Sequence, residues 1–165
     1  MTVTLVVIRH AKSDWSVALD DRDRPLAPRG RRQAPETGRW MAEHCPPVDL
    51  AIVSAATRTR QTWALIAEEL TDEADVRESE SAYTFDGRDL LERIRSIPTT
   101  VDTAALVGHN PAVEELVETL TGEWVPMPTS AIAVIELDGW ADAGEEEGRL
   151  VAAGRPADDA WHVRA

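Results

Sequence analysis

The sequence predicts an α/β protein: a three-layer α/β/α arrangement with a mainly parallel, mixed sheet and helices on both faces. Two observations carry this. Short, nearly continuous apolar runs alternate with amphipathic segments through most of the 165 residues, as in strand–helix–strand units. The last third changes character, with two β-rich runs joined by an acidic, glycine-containing stretch and no helix between them, so the sheet is expected to be mixed.

Val3 to Ile8 (VTLVVI) reads as a fully buried strand that stops at Arg9 and His10. A polar, proline-punctuated loop follows from Asp20 to Gly30, rich in charge of both signs. From Arg31 to about Glu43 the spacing of Ala34, Trp40 and Met41 predicts a helix, although Pro35 and Gly38 are poor interior residues. Asp49 to Ser54 (DLAIVS) is a second short strand. Thr59 to Leu70 is a helix with Thr62, Leu65, Ile66 and Leu70 on one side, which puts Arg58 at its start, where backbone N–H groups favour an anion. Asp89 to Ile97 is a further amphipathic helix ended by Pro98. Thr103 to Val107 (TAALV) is a strand running into Gly108, His109, Asn110 and Pro111, and Pro111 opens the next helix, Ala112 to Leu120. Ala131 to Leu137 and Arg149 to Ala153 are predicted antiparallel neighbours. Residues 1–165 read as one domain, with no internal repeat or interdomain linker.

Composition narrows the function classes. Seventeen basic against thirty acidic residues give a net charge of −13, which argues against nucleic acid or an anionic membrane as partner. An anionic substrate would need a local positive field in its site. One cysteine, Cys45, allows neither an intrachain disulfide nor a thiolate zinc cluster. With no spanning segment or secretory signal in view, a soluble cytoplasmic protein is expected.

The loops after three predicted strands each carry a cation or an imidazole: Arg9 with His10, then Arg58, then His109. In a parallel sheet these loops share one edge, where ligands bind in α/β proteins. Two arginines and two histidines without a carboxylate cluster suit phosphoryl transfer. His10, His44, His109 and His162 show no metal-ligand spacing, so no metal is expected. Ser54 has no G-x-S-x-G surroundings and reads as a loop or cap residue. His44 and His162 read as structural or exposed, Trp40 and Trp63 as core, and Arg60 as turned away from Arg58.

The motifs L-V-V-I-R-H-A-K at 5–12, R-P-L-A-P-R-G at 24–30, S-A-A-T-R-T-R-Q-T at 54–62, V-G-H-N-P at 107–111 and T-S-A-I-A at 129–133 resemble the histidine phosphatase superfamily. Within it, the chain is similar to the small SixA-type phosphohistidine phosphatases. The resemblance implies a phosphoglycerate mutase-like fold and a phosphatase activity. His10 would then be the nucleophile that carries a transient phosphohistidine. Arg9 and Arg58 would hold the non-bridging oxygens, and His109 would donate to them. It implies no metal or organic cofactor. Arg24 is either a third phosphate ligand, as the resemblance suggests, or a partner of Asp20, Asp21 or Asp23. Trp15 either lines the pocket mouth or is an exposed loop aromatic.

Ala11 departs from the superfamily pattern, which has glycine after the Arg-His pair. Larger relatives also place an acidic proton donor between the second arginine and the second histidine. Asp72, Glu73, Asp75, Glu78, Glu80, Asp86 and Asp89 fall there, and none fits a pattern. A phosphohistidine substrate needs less help from an acid than an alkyl phosphate does. Three functions remain open at this point. One is a phosphohistidine phosphatase acting on a phosphorelay or phosphotransfer protein. The others are a phosphatase or phosphomutase for a small phosphorylated substrate, and a non-catalytic phosphoprotein-binding module.

Overall fold

The computed structural model describes residues 2–164. Its strands are β1 (Val3–Arg9), β2 (Leu50–Ser54), β3 (Asp75–Ser79), β4 (Thr103–Gly108), β5 (Ile132–Leu137), β6 (Arg149–Arg155) and β7 (Ala160–Val163). The helices are α1 (Pro28–His44), α2 (Thr57–Ala67), α3 (Gly87–Arg95) and α4 (Ala112–Thr121), with 3-10 turns at Asp21–Asp23 and Pro156–Asp158. The seven strands form one sheet in the order β3-β2-β4-β1-β5-β6-β7. The pairs β1–β4, β2–β4 and β2–β3 are parallel, whereas β5, β6 and β7 add on antiparallel to their neighbours. This is the mixed α/β/α sheet that the alternation of runs predicts.

Period-two alternation in β1 splits the core between the two faces. Leu5 and Val7 pack with Leu90, Ile94, Leu116 and Leu120 of α3 and α4. Val6 and Ile8 pack with Ala34, Met41, Trp63 and Ile66 of α1 and α2. The strands β1 and β4 are neighbours, yet the chain leaves β1 for a helix on one face and β4 for a helix on the other. That is the topological switch point at which a crevice opens beyond the carboxyl ends of the strands.

Several boundaries differ from the sequence reading. Helix α1 begins at Pro28, three residues before the predicted start, and runs through Pro35. Gly38 explains how α1 fits: a Cβ there would stand 2.8 Å from the Ile66 carbonyl oxygen, so the glycine permits the close crossing of α1 and α2. Trp40 is half-buried between His44 and Trp161. The edge strands β3 and β7 were not expected. DVRES is exposed along most of its length and AWHV is exposed at alternate positions, so neither edge carries a continuous apolar run. Among the described residues, no helix is long and apolar enough to cross a membrane.

Candidate active site

The switch point holds the residues singled out in the sequence. Arg9, His10, Arg24, Arg58 and His109 all line one cavity of about 340 Å³, with Asp21, Asn110 and Thr129 among its other walls and Trp15 and Phe85 at its mouth.

The main chain after β1 is pinned from several directions. Arg9 N donates to Ala131 O at 3.1 Å, His10 N to Gly108 O at 3.1 Å, and Ser130 N to His10 O at 3.0 Å. Ala11 N donates to Thr62 Oγ1 at 3.0 Å and Lys12 N to Gln33 Oε1 at 2.9 Å. Gly30, in the first turn of α1, presses directly on this loop: a Cβ there would lie 2.1 Å from the Lys12 carbonyl oxygen. The polar loop is therefore folded down by the glycine that ends the R-P-L-A-P-R-G motif. Ser130 has φ of 63°, a left-handed conformation that an L side chain adopts at some cost in strain. Thr37 Oγ1 donates to its carbonyl at 2.9 Å and helps to hold it there.

The His10 ring is 7% exposed, and its Nδ1 lies 2.7 Å from the Ala11 carbonyl oxygen. A carbonyl only accepts, so Nδ1 carries the hydrogen and Nε2 keeps an in-plane lone pair. Burial pushes the His10 pKa down to about 3, outweighing the Ala11 bond, with His109, Arg58 and Arg9 adding to the fall. The ring is neutral at any ordinary pH, the form a nitrogen nucleophile requires.

His109, 1% exposed, is fixed at both nitrogens. Arg58 Nη2 lies 3.2 Å from its Nδ1, and since a guanidinium only donates, Nδ1 accepts. Nε2 then carries the hydrogen and donates to Ser54 Oγ at 2.7 Å. Burial first, and Arg58 next, lower its pKa to about 3. The His10 and His109 rings are 5.3 Å apart.

The two arginines differ. Arg9 makes one hydrogen bond, Nη1 to Met127 O at 3.2 Å, and its buried Nε has no partner. Arg58, 2% exposed at the start of α2, donates from Nη1 to Asp21 O at 2.6 Å and from Nη2 to Asp21 Oδ2 at 3.0 Å, while its Nε is also buried and unpartnered. Asp21 in turn accepts from Arg24 Nη2 at 2.9 Å and from the Tyr83 hydroxyl at 2.5 Å. Partial burial alone would raise the Asp21 pKa, but the bonds from Tyr83, Arg58 and Arg24 outweigh it and hold the carboxyl far below the usual range.

Of the two alternatives for Arg24, the structure shows the ion pair with Asp21; the residue also lines the cavity, with the Trp15 ring 3.7 Å from its guanidinium carbon. Arg60 turns away to Thr57, and His44 and His162 are exposed and remote from the cavity. None of the seven acidic residues from Asp72 to Asp89 lines the cavity; Glu80 pairs with Arg22, Asp86 caps α3, and Asp89 accepts from Thr84. The sequence offers Asp21 only as one of three possible partners of Arg24, with no sign that it also binds Arg58, and gives no sign of Tyr83, because neither carries a pattern beyond charge or aromaticity in a loop. Ser54 was placed at a strand end, but its role as the partner of His109 is a tertiary fact. Among the described residues, no cluster of three or more His, Cys, Asp or Glu has the geometry to hold a metal ion.

Comparison with known proteins identifies the family. The profile of the histidine phosphatase superfamily (branch 1) matches residues 5–104. An uncharacterised protein of Mycobacterium tuberculosis H37Rv is 36% identical over 147 residues, covering 82% of this chain and 90% of that protein. A solved structure from Nakamurella multipartitia, provisionally named phosphohistidine phosphatase SixA, superposes with a TM-score of 0.85 at 29% identity, covering 94% of this chain and 97% of that one. The protein histidine phosphatase SixA complexed with tungstate shares the fold, with a TM-score of 0.81 at 23% identity over 94% of this chain and 99% of that one. The chain belongs to the histidine phosphatase superfamily, branch 1, as a phosphatase of the SixA type.

Proposed function

We propose that residues 1–165 act as one histidine phosphatase domain that removes the phosphoryl group from a phosphorylated histidine of a protein partner, a phosphorelay or phosphotransfer protein, through a covalent phosphohistidine on His10. The observation that carries the choice of substrate is the acid inventory of the cavity. Asp21 is the only acidic residue among its described lining residues, and three donors keep it ionised, so no carboxylic acid stands ready to protonate an alkoxide. A phosphorylated imidazole departs without such an acid, because its other nitrogen takes a proton near neutral pH.

In the first step the Nε2 lone pair of His10 forms a bond to phosphorus as the bond from phosphorus to the substrate imidazole breaks. The electron pair returns to that nitrogen, and the proton on the other nitrogen leaves the product neutral. The free donors of Arg9 and Arg58 receive the non-bridging oxygens. His109 donates from Nδ1 only after taking a proton, which the charge of the arriving phosphoryl group favours. In the second step water adds to phosphorus, the bond to His10 Nε2 breaks, and inorganic phosphate leaves, its surplus proton passing to solvent.

An open mouth supports a protein substrate. The segment between α2 and β4 is taken up by the edge strand β3 and by α3, leaving no insertion to cap the cavity. Trp15 and Phe85 stand at the rim with 70% and 52% of their surfaces exposed. Two large exposed aromatic side chains on the rim of one cavity offer apolar surface to a protein partner. The test is phosphate release from histone H4 phosphorylated chemically on histidine, comparing the native chain with His10→Ala in the presence of chelator. Release that needs His10 and survives chelation is expected. Negligible release by the native chain, with turnover of a small phosphomonoester, would move the assignment to a small-molecule phosphatase.

A further inference from the structure

We propose that Asp21 is a built-in anion that occupies the arginine cradle of the resting site and competes with the phosphoryl group for it, and so sets the affinity for substrate and the ease of product release. This inference rests on the reading that the phosphoryl group binds between Arg58 and His109.

The geometry argues for competition. Asp21 takes three charge-bearing or hydroxyl donors through its two carboxylate oxygens: Arg24 on Oδ1, and Arg58 and Tyr83 on Oδ2. Two guanidinium groups and one hydroxyl converging on one anion is the donor set a phosphoryl group would use. Arg58 Nη2 has two hydrogens, and in the resting site one goes to Asp21 and the other to His109. A phosphoryl oxygen that binds Nη2, or His109 Nδ1, displaces one of these two bonds.

The arrangement also has a physical reason. Arg58 is almost fully buried, and a buried guanidinium without a counter-charge is strongly unfavourable. Asp21 supplies that charge when no substrate is present. It belongs to a three-residue 3-10 turn and 42% of its side chain is exposed; apart from the carboxylate, the turn is held by Arg58 Nη1 donating to the Asp21 carbonyl at 2.6 Å and by the exposed Arg22–Glu80 pair. The exposed pair contributes little, and a half-exposed carboxylate can give up Arg58 Nη2 while the backbone bond from Nη1 stays in place. A dianionic phosphoryl group outbids a monoanionic carboxylate for two guanidinium groups; after hydrolysis, the returning carboxylate helps to displace phosphate.

The test is calorimetric titration of the native chain and its variants with inorganic phosphate. Asp21→Asn is close in shape and removes the charge, and about tenfold tighter phosphate binding is expected from one lost charge-assisted competitor. Tyr83→Phe removes one donor that holds the carboxylate without touching the arginines, and a smaller tightening is expected. Asp20→Asn removes the same charge next door without a contact to the arginines, and should leave the affinity unchanged. With a phosphorylated substrate, Asp21→Asn should lower KM and strengthen product inhibition.

Weaker or unchanged phosphate binding by a folded Asp21→Asn would overturn the proposal and make Asp21 a support that merely holds Arg58 in place. Equal tightening by Asp20→Asn would also overturn it, by reducing the effect to diffuse charge. If Arg58→Ala binds phosphate as tightly as the native chain, phosphate does not occupy this cavity, and the reading of the site fails before the role of Asp21 is reached.

Discussion

On the β1 side of the cavity the main chain is clamped by β4, α1, α2 and the 130–131 segment, while the side chains above it are left idle: Arg9 has one hydrogen bond and His10 an unshared lone pair. On the α2 side the reverse holds. Arg58, His109, Ser54, Asp21, Arg24 and Tyr83 form a continuous chain of hydrogen bonds before any substrate arrives. The first wall is rigid in backbone and unspent in side chain, as preorganised transition-state stabilisation requires. The second is spent in side chain and must exchange partners when the substrate binds. A nucleophile belongs on the first wall, and control of affinity on the second.

The sharpest way to break this contrast is at His10. Its loss removes the one imidazole nitrogen among the described cavity residues that has no partner, and His10→Ala should lower turnover by about 10⁴-fold or more with little loss of folding. Residual turnover near the native rate would place the nucleophile elsewhere.

The arginines sharpen the contrast further. Arg9→Ala and Arg58→Ala should each cost about 10²- to 10³-fold in kcat, the usual loss for one oxyanion-stabilising donor. Only the second should also destabilise the fold, by about 2 kcal/mol, because it strips Asp21 and His109 of their donor. Denaturant unfolding of both variants checks this; equal stabilities would mean that the α2 network does not support the fold.

A smaller effect belongs to Ser54. Its hydroxyl accepts from His109 Nε2, so Ser54→Ala should leave the ring less well oriented and lower kcat by about tenfold, with Ser54→Thr partly restoring it. No change on Ser54→Ala would make the hydroxyl a bystander.

A further effect is on pH-dependent stability. His10 and His109 are held neutral in the folded protein, with pKa values lowered to about 3, and regain the ordinary value near 6.5 on unfolding. Between these limits the unfolded chain binds more protons, so stability is full above pH 6.5 and falls as the pH drops toward 3, by about 1.4 kcal/mol per pH unit for each ring. His10→Gln should flatten this slope by one ring's share, measured by urea unfolding between pH 6 and 4.5. An unchanged slope would mean that His10 is not held neutral by the fold.

Much of this was legible in the sequence because burial writes a clear pattern. Val3 to Ile8 and Thr103 to Val107 are covered on both faces and read as continuous apolar runs, and the polar residues that end them fall at one sheet edge. That pattern alone puts the loops carrying Arg9, His10, Arg58 and His109 at one end of the sheet. Strands β3 and β7 left no such mark, because an edge strand pairs through its backbone and exposes its side chains. Asp21 was equally hidden: among Asp20, Asp21 and Asp23, nothing in the sequence tells which carboxylate turns inward. Its role depends on where Arg58, Arg24 and Tyr83 arrive, from three different parts of the chain.

The most direct test of the account is to trap the phosphoenzyme. The chain is mixed with ³²P-labelled phosphohistidine histone, quenched in alkali within milliseconds, and the label mapped by peptide. The account predicts one alkali-stable, acid-labile label on the peptide holding His10, absent from His10→Ala. Phosphate release with no label at any time, or a label that persists in His10→Ala, would contradict it.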